Sequence, residues 1–158
     1  MPARGRLRMS SAAAAIAIML LTGVRDAAAQ LGANCSISTS GVAFGTYDVF
    51  SPSPRTSTGT ITYSCTAGVL IRIELAAGSS GSFAARTLGN GVDSVLYNLY
   101  LDSAYGTVWG DGSAGSGVYS ALASVGPAVN VTVYGRVPAA QNVSIGSYSD
   151  TVIATIVF

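Results

Sequence analysis

The chain has 158 residues, of which only 9% are charged, with eight arginines, no lysine, no histidine and a formal net charge of +1. That inventory lacks the basic stripe of a nucleic-acid binder, and without imidazole or ammonium groups neither a Ser-His-Asp nor a Ser-Lys site nor an imidazole-ligated zinc can be assembled. Binding to an anionic membrane is disfavoured for the same reason.

Residues 1–29 have the three parts of a secretory signal. Arg4, Arg6 and Arg8 precede an apolar stretch from Ala12 to Val24, and Ala27, Ala28 and Ala29 offer a small-residue cleavage site. The apolar stretch is shorter than the roughly 20 residues of a membrane helix, and no second hydrophobic span follows. The expectation is an exported chain with one domain over residues 30–158 and no membrane span once the signal is removed. Its four arginines, Arg55, Arg72, Arg86 and Arg136, are scattered among six acids.

Cys35 opens the first strand of this domain. Two cysteines in an exported chain predict one disulfide, Cys35 with Cys65, and neither a CxxC spacing nor a basic neighbour points to a reactive thiol. In "GTITYSC", Ile61, Tyr63 and Cys65 share a face. In "VLIRIEL", Val69, Ile71, Ile73 and Leu75 alternate with Leu70, Arg72 and Glu74, the period of a half-buried strand.

The same period predicts a strand in "SVLYNLYLD", with Val95, Tyr97, Leu99 and Leu101 inward and Asn98 and Asp102 facing water. It predicts another in "VNVTVYGRV", with Val129, Val131, Val133 and Val137 inward. The final run sets Val152, Ala154, Ile156 and Phe158 against Thr151, Ile153, Thr155 and Val157. Both faces are largely apolar and no strand follows in the sequence, so its open edge is expected to take a partner. Between the strands, "SPSPRTSTG", "AAGSSGS", "GNGVDS" and "GDGSAGSG" carry turn chemistry, and the spacing suits an antiparallel sandwich.

Sites for chemistry are few. Paired carboxylates are conceivable, for instance Asp102 with Asp111, and solvated turn acids are the ordinary reading of both. "WGDGSAGSG" offers a calcium ion one carboxylate where such loops use several. Trp109 suits packing better than a surface anchor for a partner or carbohydrate. Three sequons, at Asn34, Asn130 and Asn142, are explained by a Ser/Thr-rich composition. No catalytic residue, metal ligand or cofactor is expected.

"GVAFGTYD" after the first cysteine, "TGTITYSC" around the second, "LYNLYLDSAYGTVWGDG" and "VYGRVPAAQNVSIGSYSDTVIATIVF" occur in an order and spacing that resemble the spore coat protein U domain family, shared with Csu-type subunits of archaic chaperone-usher pili. The resemblance runs from Cys35 to Phe158. It implies an immunoglobulin-like antiparallel β-sandwich that lacks its last strand and is completed by donor-strand complementation. The groove would lie beside Val152, Ala154, Ile156 and Phe158. A periplasmic chaperone would fill it first and a sister subunit's N-terminal strand afterwards, with an outer-membrane usher assembling the fibre. The product would be a non-enzymatic structural or adhesive subunit, exported through the periplasm to a cell-surface fibre.

Only "QLGAN" separates the predicted cut from Cys35, a reach of roughly 17 Å. Such a subunit accepts a strand and donates poorly, which places it at a fibre tip or as a minor subunit, with the loop of Tyr105, Trp109 and Asp111 as a candidate for surface contact. The alternatives are a self-associating coat or matrix protein and, more distantly, a secreted carbohydrate-binding domain.

Overall fold

The computed structural model describes residues 32–158, and the predicted signal lies outside them. Alternating sequence becomes eight strands: β1 (Cys35–Thr39), β2 (Arg55–Cys65), β3 (Val69–Leu75), β4 (Arg86–Gly89), β5 (Ser94–Tyr100), β6 (Tyr119–Ala123), β7 (Val129–Val137) and β8 (Ala154–Val157). One sheet runs β1-β2-β7-β5-β4 and the other β6-β3-β8, with every ladder antiparallel. This is the immunoglobulin-like β-sandwich expected from the sequence. No α-helix occurs among the described residues, and no helix there is long and apolar enough to cross a membrane.

The core lies between the sheets, as two half-buried faces require. β3 contributes Val69, Ile71, Ile73 and Leu75, all buried, while Leu70 stands 67% exposed on the outer side. β2 contributes Ile61, Tyr63 and Cys65. Cys35 and Cys65 are direct partners in the β1–β2 ladder and form the predicted disulfide.

Two inward and outward expectations are corrected. Val129, expected inside, is 43% exposed because it opens β7 at the rim of the sandwich. Asn98, expected in water, is buried, because its side chain is recruited by a buried arginine rather than by its strand period.

Candidate functional site

β8 pairs on one side only, with β3, in the register Leu75 to Ala154 through Arg72 to Val157. Its other edge is hydrogen-bonded to no described strand, although β1 lies close by, so half of its backbone groups are left unladdered. Val152, Ala154 and Ile156 are half-buried against the core and alternate with exposed Ile153 and Val157. Phe158 does not continue the inward series and is 52% exposed. The ladder is also shorter than the alternating run in the sequence, beginning only at Ala154.

Across from this edge, the chain leaves β1 and runs through Val42–Tyr47 without joining a strand. Gly41 and Gly45 take positive φ here, of 67° and 69°, which lets the segment turn out of the β1 ladder. β2 side chains hold it: Ser57 Oγ donates to the Ala43 carbonyl and Arg55 Nε to the Phe44 carbonyl, both at 2.7 Å. The backbone N–H groups from Val42 to Tyr47 donate to no described residue. Gly59 and Gly135 leave the trough in which Val42 and Phe44 lie, since a Cβ at Gly135 would stand 2.7 Å from Val42 Cγ1 and 2.8 Å from the Phe44 ring.

Between these two walls lies a cavity of about 270 Å³, lined by apolar groups of both sheets including Ile61, Leu75, Leu99 and Val133, together with Val152 and Ala154. A wider space of about 910 Å³ shares Val42, Phe44, Leu88 and Asp150 with it and runs between residues 42–50 and 143–150. Asp150 stands where the two meet. Its Oδ2 accepts the Tyr97 hydroxyl at 2.7 Å, and its Oδ1 accepts the Ser79 and Thr151 amides at 2.9 and 2.8 Å. Partial burial pushes the carboxyl up, but these bonds outweigh it and hold it below the ordinary carboxylate value. Burial pushes the Tyr97 hydroxyl well above the usual phenol range, and its bond to Asp150 adds to that. Near neutral pH the pair is therefore an anion and a neutral phenol. The groove offers apolar walls and unladdered backbone groups rather than proton transfer.

The remaining candidates fall elsewhere. Trp109, placed by the sequence in a surface-contact loop, is fully buried, and its Nε1 donates to the Ile73 carbonyl at 2.9 Å, so it cannot serve as a surface anchor. Tyr105 is half-exposed and Asp111 exposed. Asp111 accepts the Ser113 hydroxyl and amide, and Asp102 accepts the amides of Gly106, Thr107 and Ala104; these bonds hold both carboxyls below the ordinary value. Both are turn acids that cap their own loops. Among the described residues no group of three His, Cys, Asp or Glu side chains could hold a metal ion. Sequence reasoning missed the wall at Val42–Tyr47, whose only signal was the glycine spacing of "GVAFG". It also missed the buried Arg86, which nothing local distinguishes from a surface arginine.

The model of the Spore Coat Protein U domain matches residues 21–155. Protein U of Myxococcus xanthus is 35% identical over 147 residues, covering 82% of this chain and 80% of that protein. Among solved structures, the sandwich resembles a chain of the CsuC-CsuE chaperone-tip adhesion subunit pre-assembly complex from the archaic chaperone-usher Csu pili of Acinetobacter baumannii, with a TM-score of 0.56 and 23% identity. That match covers 80% of this chain, which spans about 40% of the length of its counterpart.

Proposed function

The chain belongs to the Spore Coat Protein U domain family, and on that premise we propose that it is a non-enzymatic structural subunit of a chaperone-usher surface fibre, assembled by taking a strand from another polypeptide. One observation carries the proposal. Val42 and Phe44, in a segment whose amides join no ladder, line one apolar cavity together with Val152 and with Ala154 of β8, a strand laddered on one side only. An extended segment laid there gains main-chain hydrogen bonds, and its alternate side chains enter the cavity, which is β-augmentation. Val152, Ala154 and Ile156 form the inner side of that groove, and Phe158 its outer end. A periplasmic chaperone is the first occupant, a sister subunit's strand the second, and an outer-membrane usher exchanges them during export to the surface.

The short stretch between the predicted cut and Cys35 supports a tip or minor position in the fibre, since five residues supply less than one ordinary strand. N-terminal sequencing of the exported protein tests that position, and an extension of ten or more residues before Cys35 overturns it.

The family's description favours a second reading, a coat protein that self-associates without an usher. Both are tested by melting the exported protein alone and with a synthetic alternating apolar strand copied from a sister subunit. A large upward shift, together with one-to-one recovery with a co-expressed chaperone, supports strand uptake. No shift in a soluble lone monomer removes it, and concentration-dependent self-assembly without chaperone favours the coat reading.

A further inference from the structure

The outer face of the five-stranded sheet carries an aromatic cluster that the groove does not use. Tyr100 and Tyr134 are direct cross-strand partners on β5 and β7. The ring of Tyr105, from the loop after β5, stands edge-on to Tyr100 with centroids 5.4 Å apart. Over the same Tyr105 ring sits the Arg136 guanidinium, 5.5 Å from its centroid. All four side chains are half-exposed. The Arg136 guanidinium makes no ion pair or hydrogen bond with any described residue, and none of the three phenol hydroxyls does either. A cation and three hydroxyls thus stand beside flat ring surface with their bonding capacity unspent.

Backbone geometry gives Tyr105 a second distinction. Its φ is +58°, a left-handed conformation that is an outlier for a bulky residue, while Gly106, which would adopt it freely, is next door. The turn is held in place by the Tyr105 amide donating to the Asp102 carbonyl at 3.1 Å and by the Asp102 carboxylate accepting three amides of the same loop. Those bonds also turn the Asp102 charge into its own loop, which leaves Arg136 as the charged group presented at the platform. A strained, preorganised aromatic at a surface points to recognition rather than to packing alone.

We propose that Tyr100, Tyr105, Tyr134 and Arg136 form a binding platform for an acidic saccharide chain. Sugar rings present C–H faces that lie against aromatic rings and hydroxyls that bond to phenols, and a uronate carboxylate matches the planar donor fork of arginine. Thr56 and Thr58, paired in the β2–β7 ladder with Arg136 and Tyr134, extend the platform with hydroxyls suited to a chain rather than to a single sugar.

The test is retention of the full exported protein on immobilised alginate, a polyuronate, against neutral dextran. Retention on alginate alone, falling with salt, is expected. Tyr134→Ser and Tyr105→Gly should each weaken it roughly tenfold, glycine being chosen because it relieves the strain rather than threatening the fold. Arg136→Gln should abolish the preference over dextran, while Arg72→Gln, on the other sheet, leaves retention unchanged. The proposal is overturned by no retention on alginate, by retention that these platform variants leave intact, by equal loss with Arg72→Gln, or by Tyr105→Gly altering self-association instead of retention. Melting curves of each variant separate loss of binding from loss of fold.

Discussion

Arg86 and Asn98 meet inside the sandwich, where Nη1 of the arginine donates to Oδ1 of the asparagine at 2.7 Å. The guanidinium is fully screened from water, and no described carboxylate lies within ion-pair distance of it. Its other donors reach the carbonyls of Ala76, at 3.2 Å from Nε and 2.8 Å from Nη2, and of Trp109, at 2.8 Å from Nη2. The Phe83 ring lies 5.4 Å from its centre. Asn98 completes the knot by donating to the Phe83 carbonyl at 2.7 Å. One charged side chain thereby ties the β4–β5 edge to the chain after β3 and to the Trp109 loop.

Such a group is costly to orphan. Asn98→Leu leaves a buried guanidinium donor without its acceptor and should lower stability by about 2–4 kcal/mol. The pair Arg86→Met with Asn98→Leu should cost less than the sum of the single changes, because it removes the charge together with its need for a partner. Urea unfolding of the three variants checks this, and simple additivity would show that the pair does not act as a unit.

The glycine trough beneath the groove wall makes a graded prediction. A Cβ at Gly135 meets the movable Val42 and Phe44 side chains, whereas one at Gly59 meets the backbone carbonyl of Gly41. Side chains can give and backbone cannot, so Gly135→Ala should cost about 1–3 kcal/mol and Gly59→Ala more. Both should displace Val42–Tyr47 and weaken the melting shift caused by a bound strand peptide. Differential melting with and without peptide measures the two effects separately.

How much was legible in the sequence follows from how local each cause is. β3 was readable to the residue because Val69, Ile71, Ile73 and Leu75 obey a strict period of two, and Ile61, Tyr63 and Cys65 were readable for the same reason. The inward side of the final run was readable as far as Ile156. Asn98 was misplaced because Arg86, on another strand, decides where it sits. That Trp109 packs rather than anchors was readable, whereas the Ile73 and Leu99 carbonyls that hold it, and so take it out of the candidate contact loop, were not. The Val42–Tyr47 wall was hidden because its composition suits a strand, while two glycines at positive φ and two β2 side chains divert it from the ladder.

The Cys35–Cys65 bridge closes a loop with a sequence separation of 30. By the chain-entropy relation it should contribute roughly 3–4 kcal/mol, acting mainly on the unfolded chain. A Cys35→Ala, Cys65→Ala double variant should lose about that much in urea unfolding. A loss under about 1 kcal/mol would show that strain or residual unfolded structure offsets the constraint.

Acid sensitivity follows from the carboxyls. Hydrogen bonds hold Asp93, Asp102 and Asp111 below the ordinary value of 3.8, and Asp150 lies below it despite its partial burial. A depressed folded-state value means that each contributes stability above the unfolded value and loses it as pH falls through the folded one. Among the described residues there is no histidine to titrate between, so the urea midpoint should be flat from about pH 7 to pH 5 and fall below about pH 4. Asp150→Asn should shallow that acid limb. An unchanged limb would assign the loss to the loop acids.

Ala154 separates filling the groove from building the fold. It is half-buried, pairs with Leu75 in the β3–β8 ladder and lines the cavity of about 270 Å³. Ala154→Leu places three more carbons where an incoming side chain would go. If the cavity is vacant space awaiting a strand, the larger residue should raise the stability of the lone domain by about 0.5–1.5 kcal/mol, as cavity filling does. It should also reduce the melting shift produced by a strand peptide, because the same volume cannot be occupied twice. Were the cavity instead to close when the domain is alone, the leucine would overpack it and cost about 1–3 kcal/mol. The two outcomes differ in sign, so one pair of melting curves, with and without peptide, decides whether the apolar space beside β8 stands open in solution.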